Sequence, residues 1–595
     1  ALNAQDLKDA LMTASILGYK FDKSAFAAIA DITEEQTTEL MQKLVDLMFI
    51  QPCSDYEYCF KNMTSWAVIF SEAHNDPRFA VICKKVFYIL GKFALSNPII
   101  KASVAKYRDE ADVATQSWID VSSLCGYLGD TYIYALALEQ FLMCSGYDEN
   151  AQEVSDLQQE ALEKIAKLIY KQEPEKAKRY FNAPIVTARE NSDIVKLIDL
   201  CGYMIKICYQ LSDYNGVCET VDMIINAAGD EISPLEKSLV LSRKLNALFY
   251  EGNCEEGINL ANNDIIPTLE EELAKNNDPE FSQSLFTTWF DTSMALVKLY
   301  ALQGNSKSIE IVENTAEILQ MNNIEDIVYT IKLSLARAFA LTVIGKIQES
   351  VNLLKSIEQI PDYDNPQFIL ERNLIFSLNL VFANVTDGLR EILFEYAKYS
   401  ENENDKFGKH IYKLMLAWFT YAEGEYVKAN NIFDEELTFY AQEKIVTGAL
   451  ISWLFIAKNA LAIAGVESAE HVAMKALEVA QNPKFSQYHV AVYLQKLVAE
   501  INLAKGDASA AKMYLEKGML IAKQFGIDLA QIELYRTYVK FLENTLSQAK
   551  GADRADIINK IESTYKTILQ DAEKLKVPGL TESVKKDYDA LTATL

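Results

Sequence analysis

The sequence predicts an all-α chain in which a small N-terminal domain with one β-hairpin precedes a long array of antiparallel helix pairs. Three observations predict it. Apolar residues recur at i, i+3, i+4 and i+7 through almost every segment, the spacing that lines one face of a helix. Gly304, Gly345, Gly424, Gly465 and Gly506 stand 41, 79, 41 and 41 residues apart, so a unit of about 40 residues repeats and the 79 spans two units. The one convincing strand signal is QPCSDYEYCF, at residues 51–60.

Taken in order, the first 100 residues predict helices over 5–17, 23–30 and 34–49, a hairpin over 50–60 and a longer helix from about residue 62. Thr33 to Gln36 has the form of a capping box, and so does Ser233-Pro234-Leu235-Glu236, where Pro also stands at the first helical position. Residues 105–190 read as helical without a firm period, while helix pairs are expected around Gly216 and Gly252. From there each repeat glycine closes a helix of about 20 residues and opens one of about 15, and the turn missing from the series falls in NVTDG, residues 384–388. A small residue follows each glycine by four or five positions (Ser308, Ser350, Ala429, Ala469, Ala511), which lets the second helix approach the first. The expected domains are 1–104, 105–228 and 229–595.

Composition bounds the function. Of 595 residues, 50% are hydrophobic and 24% charged, with 22 Gly and 12 Pro, which excludes disordered and collagen-like chains. The 57 basic and 84 acidic residues give a net charge of −27, which repels phosphate backbones and anionic headgroups. The third helix carries Glu34, Glu35, Glu39 and Asp46 against Lys43, and the hairpin has no Lys or Arg before Lys61, so no direct nucleic-acid partner is expected. The apolar stretch 447–465 is nearly long enough to span a bilayer, but Lys458 and Asn459 interrupt it; it reads as a buried array helix, and no membrane partner is expected.

Four scattered histidines, nine cysteines confined to the first 254 residues and no CxxC pair predict neither a metal nor a cofactor. They read as a reduced, cytoplasmic protein, with Cys53 and Cys59 as reduced thiols flanking the hairpin. No GxxxxGK[ST], GxSxG, HExxH or GxGxxG motif occurs, so no enzyme is expected. The opening ALNAQDLKDALMTASIL has neither Met nor a basic region, which is unlike a signal peptide and leaves room for sequence upstream.

The flanks YALQGNSKSIEIV, ALTVIGKIQESVNLL, FTYAEGEYVKANNIF, ALAIAGVESAEHVA and NLAKGDASAAKMYL resemble the tetratricopeptide pattern, in which a Gly or Asp turn joins antiparallel helices that cross at a small residue. The period exceeds the usual 34; HEAT repeats share it but lack this glycine turn. Long, degenerate units of this kind are similar to the sensor regions of STAND-type signal-transduction ATPases and of transcription regulators of the maltose-regulon activator type. The N-terminal order of three helices, hairpin and helix is a winged helix. It resembles the segment that follows the nucleotide-binding domain in STAND ATPases, with Tyr58, Phe60 and Ile69 at matching places, Asn62 where that family often has His, and Phe49 in place of its usual Gly.

The resemblance implies a right-handed tetratricopeptide-like α-solenoid that senses a protein, peptide or small-molecule effector in its concave groove and relays binding to an upstream nucleotide-binding domain. A freestanding cytoplasmic scaffold for protein assembly is the alternative. In the tetratricopeptide register, Asp291, Lys298, Lys332, Trp418, Tyr421, Asn459, Tyr493, Lys496 and Glu500 look into the groove. Trp418, at helical spacing from Leu414, equally suits the core, and the stripe Leu494, Leu497, Val498 and Ile501 admits a register one residue over.

Overall fold

The computed structural model describes residues 4–90, 101–102, 105, 111–128, 131–148, 154–275, 278–360, 365–383, 389–402, 406–463, 465–547, 549–577 and 579–593. They are mostly helical and divide into two compact units, Ala1–Tyr203 and Met204–Leu595.

The first unit begins with helix Ala4–Leu17, strand Lys20–Asp22, helices Lys23–Ala30 and Glu34–Asp46, strands Ile50–Pro52 and Glu57–Phe60, and helix Met63–His74. Both sides of the hairpin form, but the sheet has a third strand that sequence reading missed: Glu57–Phe60 is central, with Lys20–Asp22 and Ile50–Pro52 antiparallel on its two edges. Three residues between helices carry too little alternation to announce a strand. Only Phe21 of the three turns inward, where it packs against Phe26 and Phe60. The third helix stops at Asp46 rather than 49, because Met48 takes a positive φ of 65° and reverses the chain into the strand. Thr33 and Gln36 close the capping box, and Asn62 caps the next helix through its side chain on Ser65 N (2.7 Å). The Trp66 indole donates to Ser15 O (2.9 Å), tying the fourth helix to the first inside an aromatic core. All described cysteines whose side chains are placed, Cys53 and Cys59 included, are free thiols.

The second unit is a tetratricopeptide-like solenoid. Its later pairs are Pro279–Leu302 with Lys307–Met321, Ile327–Val343 with Ile347–Ile357, Pro366–Ala383 with Leu389–Asn402, Lys406–Ala422 with Tyr426–Gln442, Val446–Ala462 with Val466–Gln481, Tyr488–Lys505 with Ala508–Phe525, and Asp528–Leu546 with Ala552–Leu575, before a final helix Leu580–Thr592. The crossing residues Ser308, Ser350, Ala429, Ala469 and Ala511 are all fully buried. Residues 447–462 of that stretch lie in one of these array helices, and none among the described residues is long and apolar enough to cross a membrane.

Gly304, Gly345, Gly424 and Gly506 turn the chain at φ of 71°, 86°, 84° and 81°. Gly465 does not: its φ of −85° and ψ of 60° are those of Lys346 and Glu425, the residues that follow the turn glycine in neighbouring pairs. The spacing of 41 therefore hides a shift of one residue. Gly216 likewise lies inside helix Tyr214–Ala228, and the turn before it belongs to Ser212, at φ 60°. Gly252 caps its helix in the left-handed region, as its spacing predicts. The turn expected at 384–388 lies outside the described residues.

The array returns on itself. Asp528 N donates to Ile344 O (3.1 Å), Glu255 N to Lys484 O (3.3 Å), and the buried His489 ring lies 2.5 Å from Leu302 O through Nδ1. A carbonyl oxygen can only accept, so Nδ1 carries the proton. Burial lowers the His489 pKa to about 4, which keeps the ring neutral. Ring contacts reinforce the return: Tyr250 lies edge-on to Phe407 at 4.9 Å, and Phe249 edge-on to Phe339 at 5.7 Å.

A Cβ on Gly345 would come within 2.7 Å of Leu529 N, whereas one on Gly424 would meet nothing. Both glycines have left-handed backbones, which cost an alanine about 1–2 kcal/mol, but only Gly345→Ala must also displace backbone, for about 1–3 kcal/mol more. Urea unfolding should show Gly345→Ala as the more damaging by that increment. Equal losses for the two variants would mean that the return contact at Leu529 does not form.

Candidate functional site

The first helices of successive pairs turn their inner faces to a cavity of about 560 Å³ within the second unit. Helix Pro366–Ala383 contributes Phe382, Lys406–Ala422 contributes Trp418 and Tyr421, Val446–Ala462 contributes Phe455 and Lys458, Tyr488–Lys505 contributes Tyr493, Lys496 and Glu500, and Asp528–Leu546 contributes Glu533 and Arg536. The start of the last helix, Gly579 to Ser583, closes the remaining side. Helical geometry explains the set: Tyr493, Lys496 and Glu500, like Ile451, Leu454, Phe455, Lys458 and Leu461, recur at three- and four-residue steps and share one face.

The lining is aromatic on one part and ionic on another. Phe382 and Tyr493 stack at 5.5 Å and 11°, and Tyr421 lies 6.3 Å from Phe455. Trp418, only 3% exposed, is both core and cavity wall. Lys496 bridges Glu500 (3.2 Å) and Glu533 (3.3 Å), and Arg536 holds Glu533 (3.0 Å) and reaches Asp587 on the last helix. Thr537 donates to Glu500 (3.2 Å) and Arg536 to Ser583 Oγ (3.2 Å), so this cluster is knit across three helices. Burial works against the Lys496 ammonium, but Glu500 and Glu533 outweigh it and raise its pKa. Burial would likewise lift the Glu533 carboxyl, yet Lys496 and Arg536 hold it lowered. Lys496, Glu533 and Arg536 stay ionised at neutral pH.

Lys458 is the exception. It makes neither a hydrogen bond nor an ion pair with any described residue, and its ammonium sits 5.1 Å from the centre of the Phe455 ring. Burial, and secondarily the positive charge of Lys496, lower its pKa to about 8. Tyr421 and Tyr493 also line the cavity, and burial raises the pKa of both.

Of the residues that sequence reading aimed at the groove, the structure brings together Trp418, Tyr421, Tyr493, Lys496 and Glu500. It places the others elsewhere. Asn459 is fully buried and turned to the second helix of the preceding pair, Tyr426–Gln442, where its amide donates to Tyr426 O (2.7 Å) and Asn430 Oδ1 (3.2 Å). Lys332 pairs with Asp291 (2.7 Å) and Lys298 with Glu371 (2.5 Å), in earlier pairs and away from the cavity lining. Phe382, Phe455, Lys458, Glu533 and Arg536 were missed. Lys458 was legible at helical spacing from Leu454 and Phe455, had the register in this helix been set one residue earlier than the glycine suggests.

The lowered Lys458 pKa carries a stability signature. Between pH 8 and the ordinary 10.5, the unfolded chain binds the proton that the folded chain has released, so stability rises with pH across that window. Lys458→Met removes the charge and should be more stable than the parent by about 2–3 kcal/mol at pH 7, with the difference fading by pH 11. Denaturant titrations at pH 7, 9 and 11 measure this, and a variant no more stable than the parent at pH 7 would place the ammonium in water instead of against the cavity wall.

No family model matches the chain, and no curated protein matches it. Among solved structures it is similar to a STAND protein with a tetratricopeptide repeat sensor from Pyrococcus horikoshii, at 13% identity and a TM-score of 0.26, over 90% of this chain and 65% of that one. It is also similar to the APC/C hetero-tetramer Cut9–Hcn1, at 12% identity and a TM-score of 0.32, over 85% of this chain and 95% of that one. The chain thus spans 65% of the length of the STAND protein. At these scores the fold rests on the helix pairs themselves.

Proposed function

We propose that this chain is a non-catalytic sensor that captures an effector inside its solenoid and relays the event to a nucleotide-binding domain of a STAND-type regulator in the cytoplasm. The observation that carries the reading is the cavity: aromatic side chains and a knit ionic cluster from five consecutive pairs converge on one space of about 560 Å³, a volume suited to a small molecule or a short peptide end. In this reading residues 1–104 form a winged-helix domain, 105–228 lead into the array and 229–595 form it. The order helix, strand, two helices, two strands supports the winged helix. A freestanding scaffold for protein assembly uses the same solenoid. The gene upstream of Ala1 separates the two: a phosphate-loop motif there supports the relay, and a start codon immediately upstream supports the scaffold.

The capture itself is testable with the neutral fluorophore N-phenyl-1-naphthylamine, which brightens in apolar surroundings. It should bind one site, Ile451→Trp should fill that site and abolish binding, and Tyr421→Ala should weaken it by about 2 kcal/mol as a hot-spot aromatic does. Glu470→Ala, which breaks only an outer pair with Lys505 (2.8 Å), should change nothing. Binding that survives Ile451→Trp would remove the cavity as the site.

The N-terminal unit is expected to pack against protein and not DNA. Glu34, Glu35, Glu39 and Asp46 are all exposed along the third helix, where phosphates would meet them. The protein should pass unretained over random duplex DNA at about 0.15 M salt; salt-sensitive retention would reveal a basic surface and sink this expectation.

A further inference from the structure

We infer that the ligand of the cavity is a small organic anion, an apolar or aromatic body bearing one carboxylate or similar group, and that Lys458 is the residue that binds its charge. The inference rests on the cavity being the capture site and adds the chemistry of what is captured. The ionisable groups on its lining are Tyr421, Lys458, Tyr493, Lys496, Glu500, Glu533 and Arg536. Lys496 and Arg536 already share Glu500, Glu533 and Asp587, and Thr537 donates to the Glu500 oxygen that Lys496 holds, so neither of these cations is free for a ligand; neither carboxylate forms an ion pair with Lys458.

Lys458 alone keeps three donors and a charge without an acceptor among the described residues, beside Phe455 and in the same cavity as Trp418, Phe382 and Tyr493. Lys458 is half-buried, and an ammonium partly withdrawn from water with Glu500 and Glu533 acting on it only from beyond ion-pair distance is costly unless something supplies a partner. A neutral guest would satisfy the donors and leave the charge; a cation would add a second. An anion answers both, and the aromatic walls take the body to which it is attached. Tyr421 and Tyr493 line the same space. The cavity volume holds one such molecule and excludes a polyanion such as nucleic acid.

The test compares two probes that share an aromatic body, 1-anilinonaphthalene-8-sulfonate, which carries one negative charge, and N-phenyl-1-naphthylamine, which carries none. In the intact chain Lys458→Met should weaken the sulfonate tenfold or more and leave the neutral probe unchanged or tighter, while Lys458→Arg should keep the sulfonate within about threefold. Retained binding of the neutral probe shows that the variant is folded and the cavity open. Affinity of the parent for the sulfonate should also fall as pH rises through about 8, where Lys458 loses its proton, and should not fall in Lys458→Arg. Equal weakening of both probes by Lys458→Met, or no weakening of either, would overturn the assignment of charge to Lys458 while leaving the cavity as a capture site. Failure of both probes to bind the parent would overturn the capture reading and the anion with it.

Discussion

Gly345 has no side chain, and the backbone of Leu529 uses the space. That single vacancy lets Ile344 O receive Asp528 N across 184 residues of chain, and most of the second unit follows from it. A solenoid whose pairs touched only their neighbours would leave its concave side open to water. Here the turns of the earlier pairs seat on the later ones, Gly304 against Ile527 and Gly345 against Leu529, with His489 held to Leu302 between them. The inner faces of the later pairs become the lining of a partly enclosed cavity, and the terminal helix adds to it through Arg536, Ser583 and Asp587. His489 is neutral because the contact is dry, and its one ring proton is spent on that carbonyl.

The partly enclosed lining changes what its charges cost. An exposed ion pair is worth a fraction of a kcal/mol, but charges withdrawn from water must find partners or give up their protons. Lys496, Glu500, Glu533 and Arg536 take the first course and hold the inner helices in register. Lys458 takes the second, its proton affinity falling towards the physiological range. A residue that weakens the fold at neutral pH and has no structural partner is better explained by what enters the cavity than by what surrounds it.

How much of this was legible follows the range of the forces involved. Local signals read well: the helix period, the boxes at Thr33 and Ser233, the small crossing residues and the left-handed glycines depend on neighbours within one or two turns. Where a glycine sat one place from the turn, as at Gly465 and Gly216, spacing alone misread it, because a glycine is permitted at a turn and not compelled to make one. The same one-residue error picks out Asn459, which ties its helix to the preceding pair, in place of Lys458, which lines the cavity. The strand Lys20–Asp22 and the return contacts were illegible for a different reason. They depend on partners from 35 residues away, Asp22 with Glu57, to 229, Glu255 with Lys484, which no local pattern encodes.

Charge is sorted in this molecule by location as much as by amount. The chain carries a net −27, so an approaching anion meets repulsion at long range. The cavity lining reverses that sign, with Lys458, Lys496 and Arg536 against Glu500 and Glu533. Repulsion outside grows with every charge a ligand bears, whereas the unpaired charge inside answers only one. A polyanion pays the outer term many times and gains the inner one once; a small monoanion with an apolar body pays least and also fills the aromatic wall. Selectivity for small, singly charged guests then comes from the contrast between surface and lumen, and it depends on the return contacts at Gly345 and Leu529 that keep the two apart.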